Sequence, residues 1–146
     1  MEDRWADRLL GMRYLIALLA LAGVVVAGLA LRVHYSTETA PCSINEKWDC
    51  GIVNHSPYAE LYHVPVAAIG IAGYLGIAAL ALLGQKKLVL AAALAGLGFS
   101  LYLTHIEKDV LLVWCVYCVT SLGIITLTTL VSLGWLLLGR KRMLDA

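Results

Sequence analysis

With 146 residues, 61% of them hydrophobic and only 14% charged, the chain is too apolar for a water-facing globule, in which roughly half the residues are apolar. Its net charge is +1 and no basic patch suggests a nucleic-acid partner. The apolar residues fall in four long runs, Met12 to Leu31, Val64 to Leu83, Leu88 to Leu103 and Val110 to Leu138. A span needs about 20 apolar residues to cross a hydrocarbon core of ~30 Å, and open sheets cannot satisfy their backbone there. The runs predict an all-α membrane protein: one domain over 1–146 with four transmembrane helices at about 12–31, 64–83, 87–104 and 110–138.

Along the chain, residues 1–11 are charged, with Trp5, Leu9 and Leu10 spaced for one face of a helix lying at the membrane interface. The first apolar run exceeds the 7–15 residues usual for a signal-peptide core, which predicts a retained span. Residues 32–63 are the one long polar segment and carry a cysteine pair, three of the four histidines and Trp48. The apolar residues scattered through it, from Ile44 to Tyr62, predict a packed lid with a short helix capping the bundle. Ser56-Pro57 and Val64-Pro65 read as helix starts, the second opening the second span. Gln85-Lys86-Lys87 reads as one turn and Thr104 to Asp109 as another, with Glu107 and Asp109 solvated. Gly23/Ala27, Ala72/Gly76 and Ala92/Gly96/Ser100 lie four residues apart, a spacing that lets helices approach closely in lipid.

Four spans put the N-terminus, the second turn and the C-terminus on one side. That side holds Arg4, Arg8, Arg13, Lys86, Lys87, Arg140, Lys141 and Arg142, eight of eleven basic residues. The positive-inside rule therefore predicts a multi-pass plasma-membrane protein with cytoplasmic termini. All four cysteines then lie at the outer face, where disulfides persist.

Those cysteines form two pairs, Cys42 with Cys50 in the polar segment and Cys115 with Cys118 at the outer end of the last span. The i, i+3 spacing of Cys115-Val116-Tyr117-Cys118 sets both sulfurs on one helical face, and a helix N-terminus favours the thiolate that attacks in disulfide exchange. Redox chemistry, a structural disulfide and a metal site all remain open for such a motif. Zinc, however, prefers four ligands and the helix offers no further pair. Cys42 and Cys50 alone read as a structural staple. Two pairs on one face suit a relay, in which a thiolate of one pair attacks the disulfide of the other.

In order and spacing these residues resemble the vitamin K epoxide reductase family, in its prokaryotic form without a fused thioredoxin domain. The matching elements are Cys42-x7-Cys50, Val53-x2-Ser56-Pro57-Tyr58, Val64-Pro65-Val66-Ala67-x2-Gly70-x3-Tyr74, Ser100-x-Tyr102-Leu103 and Trp114-Cys115-x2-Cys118. The other bacterial quinone-linked disulfide generator is also a four-helix bundle, but its C-x-x-C comes early and its spaced pair late. The resemblance implies a membrane thiol–disulfide oxidoreductase that oxidises a thioredoxin-like carrier supplied in trans and reduces a membrane quinone of ubiquinone or menaquinone type, with no metal. It gives Cys42 the exchange with the carrier, Cys50 the inward transfer, Cys115 the receiving sulfur and Cys118 the delivery to quinone. Ser56 would stand beside Cys118, unless it serves only as a helix cap. Val53, Tyr102 and Leu122 would join Ser56 and Cys118 around the quinone. Residues at Val66 and Leu122 stand where animal enzymes use Asn and Tyr, which implies quinone rather than epoxide reduction. His63 stands where prokaryotic relatives commonly have Gly. The four histidines are candidate proton shuttles, none tied to the thiols by spacing. Animal-type epoxide reduction and a non-catalytic four-span protein with structural disulfides are the alternatives.

Overall fold

The computed structural model describes residues 2–145. Helix α1 runs unbroken over Glu2–Tyr35, followed by a loop and the short α2, Cys50–Asn54. A 3-10 turn at Pro57–Ala59 leads into a two-stranded hairpin, β1 (Glu60–Leu61) and β2 (Val64–Pro65). Helices α3 (Val66–Leu82), α4 (Lys86–Ile106) and α5 (Val116–Asp145) complete the chain, with a π-turn at Glu107–Leu111 between the last two. The charged N-terminal stretch is thus no separate interfacial helix. It continues into α1, since nothing between Ala6 and Met12 breaks the helical pattern beyond one tolerated glycine.

Among the described residues three segments are long and apolar enough to cross a membrane: α1, α4 with its π-turn, and α5; α3 is apolar but has 17 residues. Helix α1 packs against α3 and α5, and α4 against α5 and α3. Their shared core contains Ile16, Ala20, Tyr74, Ile77, Ala81, Val89, Ile125 and Trp135. The small-residue spacing works at two of its positions. A Cβ on Gly23 would lie 2.5 Å from the Tyr74 ring, and one on Gly96 would lie 3.2 Å from Ile125. The Tyr74 hydroxyl then reaches across to the carbonyl and hydroxyl of Ser121 (3.0 and 2.8 Å), joining three helices. Polar residues enter α5 without cost to its ladder: the hydroxyls of Thr128, Thr129 and Ser132 each donate to the carbonyl four residues back.

Two turns differ from expectation. The α3–α4 connection falls at Leu83–Gln85, with Gly84 at φ +76°, and Arg13 donates to the Leu82 carbonyl at the end of α3. The expected outer turn over Thr104 to Asp109 is instead helical. The chain reverses after the π-turn, at Leu112 (φ +56°), and α5 begins six residues later than the predicted span. Polarity marked the turn wrongly because His105, Lys108 and Asp109 project outward from a helix that continues beneath them, His105 pairing with Asp109 at 2.8 Å.

Candidate functional site

A second core lies above the bundle, under the lid: Val33, Ala40, Cys42, Cys50, Val53, Val113 and Cys115, with Cys118 packed against it. Its assembly follows from backbone pairing. The Asp49 amide donates to the Trp114 carbonyl (3.0 Å) and the Trp114 amide to that of Lys47 (2.7 Å), a parallel bridge between residues 48 and 114. Both cysteine-bearing segments leave this bridge in the same direction, which brings Cys50 and Cys115 together; both are fully buried. The Trp48 and Trp114 rings pack above with centroids 6.1 Å apart.

Local capping fixes each cysteine. Asp49 is the N-cap of α2, accepting from the amides of Gly51 (2.9 Å) and Ile52 (3.2 Å) and from the Ser43 hydroxyl (2.7 Å). The Ser43 hydrogen bond, with the two amides behind it, holds the Asp49 carboxyl below its ordinary value of 3.8 despite partial burial. Cys50 opens α2 and forms a disulfide with Cys42, the Cα atoms 5.8 Å apart, inside the usual range for such a bridge. Cys115 and Cys118 are free thiols. Cys115 directly precedes α5 and its carbonyl accepts the Val119 amide (3.0 Å), so Cys118 lies in the first turn on the same face.

One buried side chain joins the two pairs. The Asn54 amide donates to the Cys50 carbonyl (2.8 Å) and to Cys115 Sγ (3.6 Å). The Asn54 backbone carbonyl accepts from His34 Nδ1 (2.6 Å), whose other nitrogen faces Glu60 (3.3 Å). His55 reaches the carbonyls of Gly51 and Ser36 (2.7 and 2.9 Å), so two histidines tie the lid to the end of α1. His63 is exposed and lies far from this group in role: it shapes the hairpin turn, where Tyr62 and His63 both take positive φ (52° and 66°). Burial of Asn54 also leaves its glycosylation sequon without access.

Beneath the lid a cavity of about 450 Å³ opens between the helices, its walls largely apolar and including Ala27, Ala30, Gly70, Gly73, Ile77 and Phe99. Val53, Ser56 and Cys118 line its upper end, as does Asn54. Ser56 stands at the start of the 3-10 turn, but its hydroxyl caps no amide and donates to the Val53 carbonyl (2.7 Å). Tyr102 and Leu122 do not line the cavity. Tyr102 is exposed and stacks on Phe99 (6.3 Å), and Leu122 packs on the bundle core.

Glu107 is the largest departure from the sequence reading, which left it solvated. It is 2% exposed, lines the cavity, and accepts the Cys115 amide at Oε2 (3.0 Å). Its other oxygen, Oε1, is buried with no hydrogen-bond partner among the described residues. Ala92, Gly96, Ser100, Leu103 and Glu107 fall on one helical face, and all five line the cavity. Extending the small-residue stripe by a further seven residues would have reached it.

A model of the vitamin K epoxide reductase family matches residues 14–133, most of the chain and all four cysteines. The protein belongs to that family. Membership carries oxidoreductase chemistry and membrane residence, and the family is quinone-linked in general. The cavity of this family member suits such a group. Its volume lies within the 300–1,000 Å³ usual for ligand pockets, its walls are apolar, and its polar atoms gather at one end. The orphaned Oε1 of Glu107 lies at that end as well. Among the described residues no cluster of three or more His, Cys, Asp or Glu is arranged to hold a metal ion.

Proposed function

We propose that the protein is a four-span thiol oxidoreductase of the plasma membrane that oxidises a thioredoxin-like carrier and passes two electrons through its cysteine pairs to a membrane quinone. The observation that carries this reading is the contact of three parts in sequence: a disulfide in the lid, a dithiol directly beneath it, and an apolar cavity reaching Cys118. The fourth span is α3, whose 17 residues make a helix about 25 Å long at 1.5 Å per residue, near the lower limit for crossing. The basic residues at the start of α1, the α3–α4 connection and the end of α5 favour a cytoplasmic location for the end of the bundle remote from the cysteines.

Each step conserves electrons. A carrier thiolate attacks Cys42, displacing Cys50 as a thiolate, and the second carrier thiol releases the oxidised carrier. Cys50 then attacks Cys115 of an inner disulfide and Cys118 leaves as the thiolate. Closure of Cys42 on Cys50 restores the outer disulfide and leaves Cys115 and Cys118 reduced. That distribution, an outer disulfide over an inner dithiol, is the one in the structure. A bound quinone supplies the final acceptor for two electrons and two protons. Cys118, on the cavity, is the residue from which they depart, and closure of Cys115 on it regenerates the inner disulfide. The apolar walls orient the ring toward this end and exclude water.

The test is to mix lipid-reconstituted protein with a reduced thioredoxin-like carrier and a soluble quinone and to follow quinone absorbance. Catalytic loss of absorbance is expected in the wild type and none in Cys118→Ala, which should still exchange thiols at Cys42 and Cys50. Quinone turnover by Cys118→Ala would refute the role of the inner pair. Inert disulfides and no turnover with several carriers and quinones would favour the structural reading.

A further inference from the structure

We infer that Glu107 is the proton carrier between the Cys118 thiol and the quinone, a role that rests on the relay proposed above. Reduction of a quinone by a dithiol transfers two protons as well as two electrons. Both thiol protons must reach ring oxygens at a site whose walls are largely apolar, so a titratable group on the cavity is needed. Glu107 supplies one. It sits at the start of a π-turn, a helix irregularity found often at functional sites, and its carboxyl is buried beside the inner pair. Oε2 is committed to the Cys115 amide (3.0 Å), which fixes the carboxyl in place and leaves Oε1 as the free oxygen. Cys118 lines the same cavity as Glu107 and lies in the same C-x-x-C as Cys115, whose amide Glu107 holds. The Cys115 amide needs only Oε2, whereas the buried, unpartnered Oε1 lowers stability and supports nothing in the fold. The geometry therefore fits a chemical task better than a structural one.

The balance is simple. As the sulfurs of Cys115 and Cys118 join, two S–H bonds break and one S–S bond forms, with two electrons leaving for the quinone. The Glu107 carboxylate takes the Cys118 proton at Oε1 and passes it to the nearer ring oxygen, ending unchanged. The same carboxylate, emptied by that transfer, carries the Cys115 proton in a second passage to the other ring oxygen. The remaining titratable side chains on the cavity are His34, Tyr58, Tyr74 and Tyr117. His34 is engaged by Asn54 and Glu60, and Tyr74 by Ser121.

Glu107→Gln separates this role from support of the fold. The Gln amide oxygen can still accept the Cys115 amide, but the side chain can no longer carry a proton. Quinone reduction from the pre-reduced inner pair should slow about a hundredfold, at the lower end of general acid–base effects, and its pH profile should change shape. Glu107→Asp should restore part of the rate. Time-resolved infrared spectra taken during quinone reduction should also lose a transient protonated-carboxyl band in Glu107→Gln. A Glu107→Gln protein that reduces quinone at the wild-type rate with the wild-type pH profile overturns the inference and leaves the relay standing. A wild-type protein that reduces no quinone overturns both. Should Glu107→Gln not fold, the wild-type time-resolved spectra decide: absence of any transient protonated-carboxyl band during quinone reduction overturns the inference.

Discussion

Replacing Asn54 by leucine tests how the two cysteine pairs are coupled. The side chains are close in size and the site is buried, so the change removes two hydrogen-bond donors with little change in volume. The first donor serves the Cys50 carbonyl at 2.8 Å and the second serves Cys115 Sγ at 3.6 Å. The Cys50 carbonyl keeps its helical bond within α2, so the loss is that of one hydrogen bond, about 0.5–1.5 kcal/mol, and should appear in thermal unfolding in detergent. The sulfur contact behaves differently. It is long and weak to a thiol, but strengthens whenever Cys115 carries charge, when hydrogen bonds contribute about 1.5–3 kcal/mol. Loss of that contribution should slow any step that forms the Cys115 thiolate by roughly ten- to a hundredfold, at 1.36 kcal/mol per factor of ten. The assay is acid-quenched trapping of the Cys50–Cys115 mixed disulfide, reversed by resolving it from each side. Asn54→Asp, which offers no donor when ionised and places a negative charge beside the sulfur, should be slower still. If Asn54→Leu loses stability but traps and resolves the mixed disulfide at the wild-type rate, the side chain only supports α2 and the coupling argument fails.

Gly23→Ala should destabilise the bundle by about 1–3 kcal/mol, as overpacking does, because Tyr74 cannot retreat from the new methyl without leaving Ser121. Combining it with Tyr74→Leu should recover most of the loss in a double-mutant cycle, and strict additivity would show that the clash is relieved elsewhere. His63→Gly should stabilise by about 1 kcal/mol, since left-handed backbone costs an L-residue roughly 1–2 kcal/mol; an unchanged melting temperature would refute the strain at that turn. Asp49→Ala should cost about 1 kcal/mol through loss of the α2 N-cap. Because the Asp49 carboxyl is held below 3.8 in the folded protein, its contribution is fully present above that value and disappears as pH falls through the lower, folded one. Wild type should therefore lose stability below about pH 4 more steeply than Asp49→Ala in acid titrations followed by circular dichroism; parallel curves would contradict the assignment.

The membrane character, the order of the cysteines and the capping lid were legible because they depend on patterns that survive in one dimension: long apolar runs, spacing and a polar interruption. What was not legible depends on where a helix stops. Glu107, Lys108 and Asp109 form a run of charge that reads as a solvated turn, yet the helix and its π-turn carry the first inward and the other two outward. The reversal is made at Leu112, a left-handed leucine that no local preference announces. Asn54 was hidden for a similar reason. Nothing in its sequence context gives it a role, and its partners Cys50 and Cys115 become neighbours only through the backbone bridge between residues 48 and 114. Tyr102 and Leu122 were placed at the cavity by likeness alone, and helical phase turns both away from it.

The burial of the lid disulfide has a consequence for selectivity. Cys42 is 8% exposed and Cys50 is not exposed at all, so a thiol diffusing up from solvent finds little of the disulfide to attack until the segment between them lifts. A carrier protein can supply the free energy for that opening from its own docking, as lids and loops commonly require. A free small-molecule thiol has almost no such surface to offer. In the proposed relay the closed lid would therefore insulate the quinone pool from the bulk thiol buffer, and the rate at saturating carrier would measure how fast the lid opens.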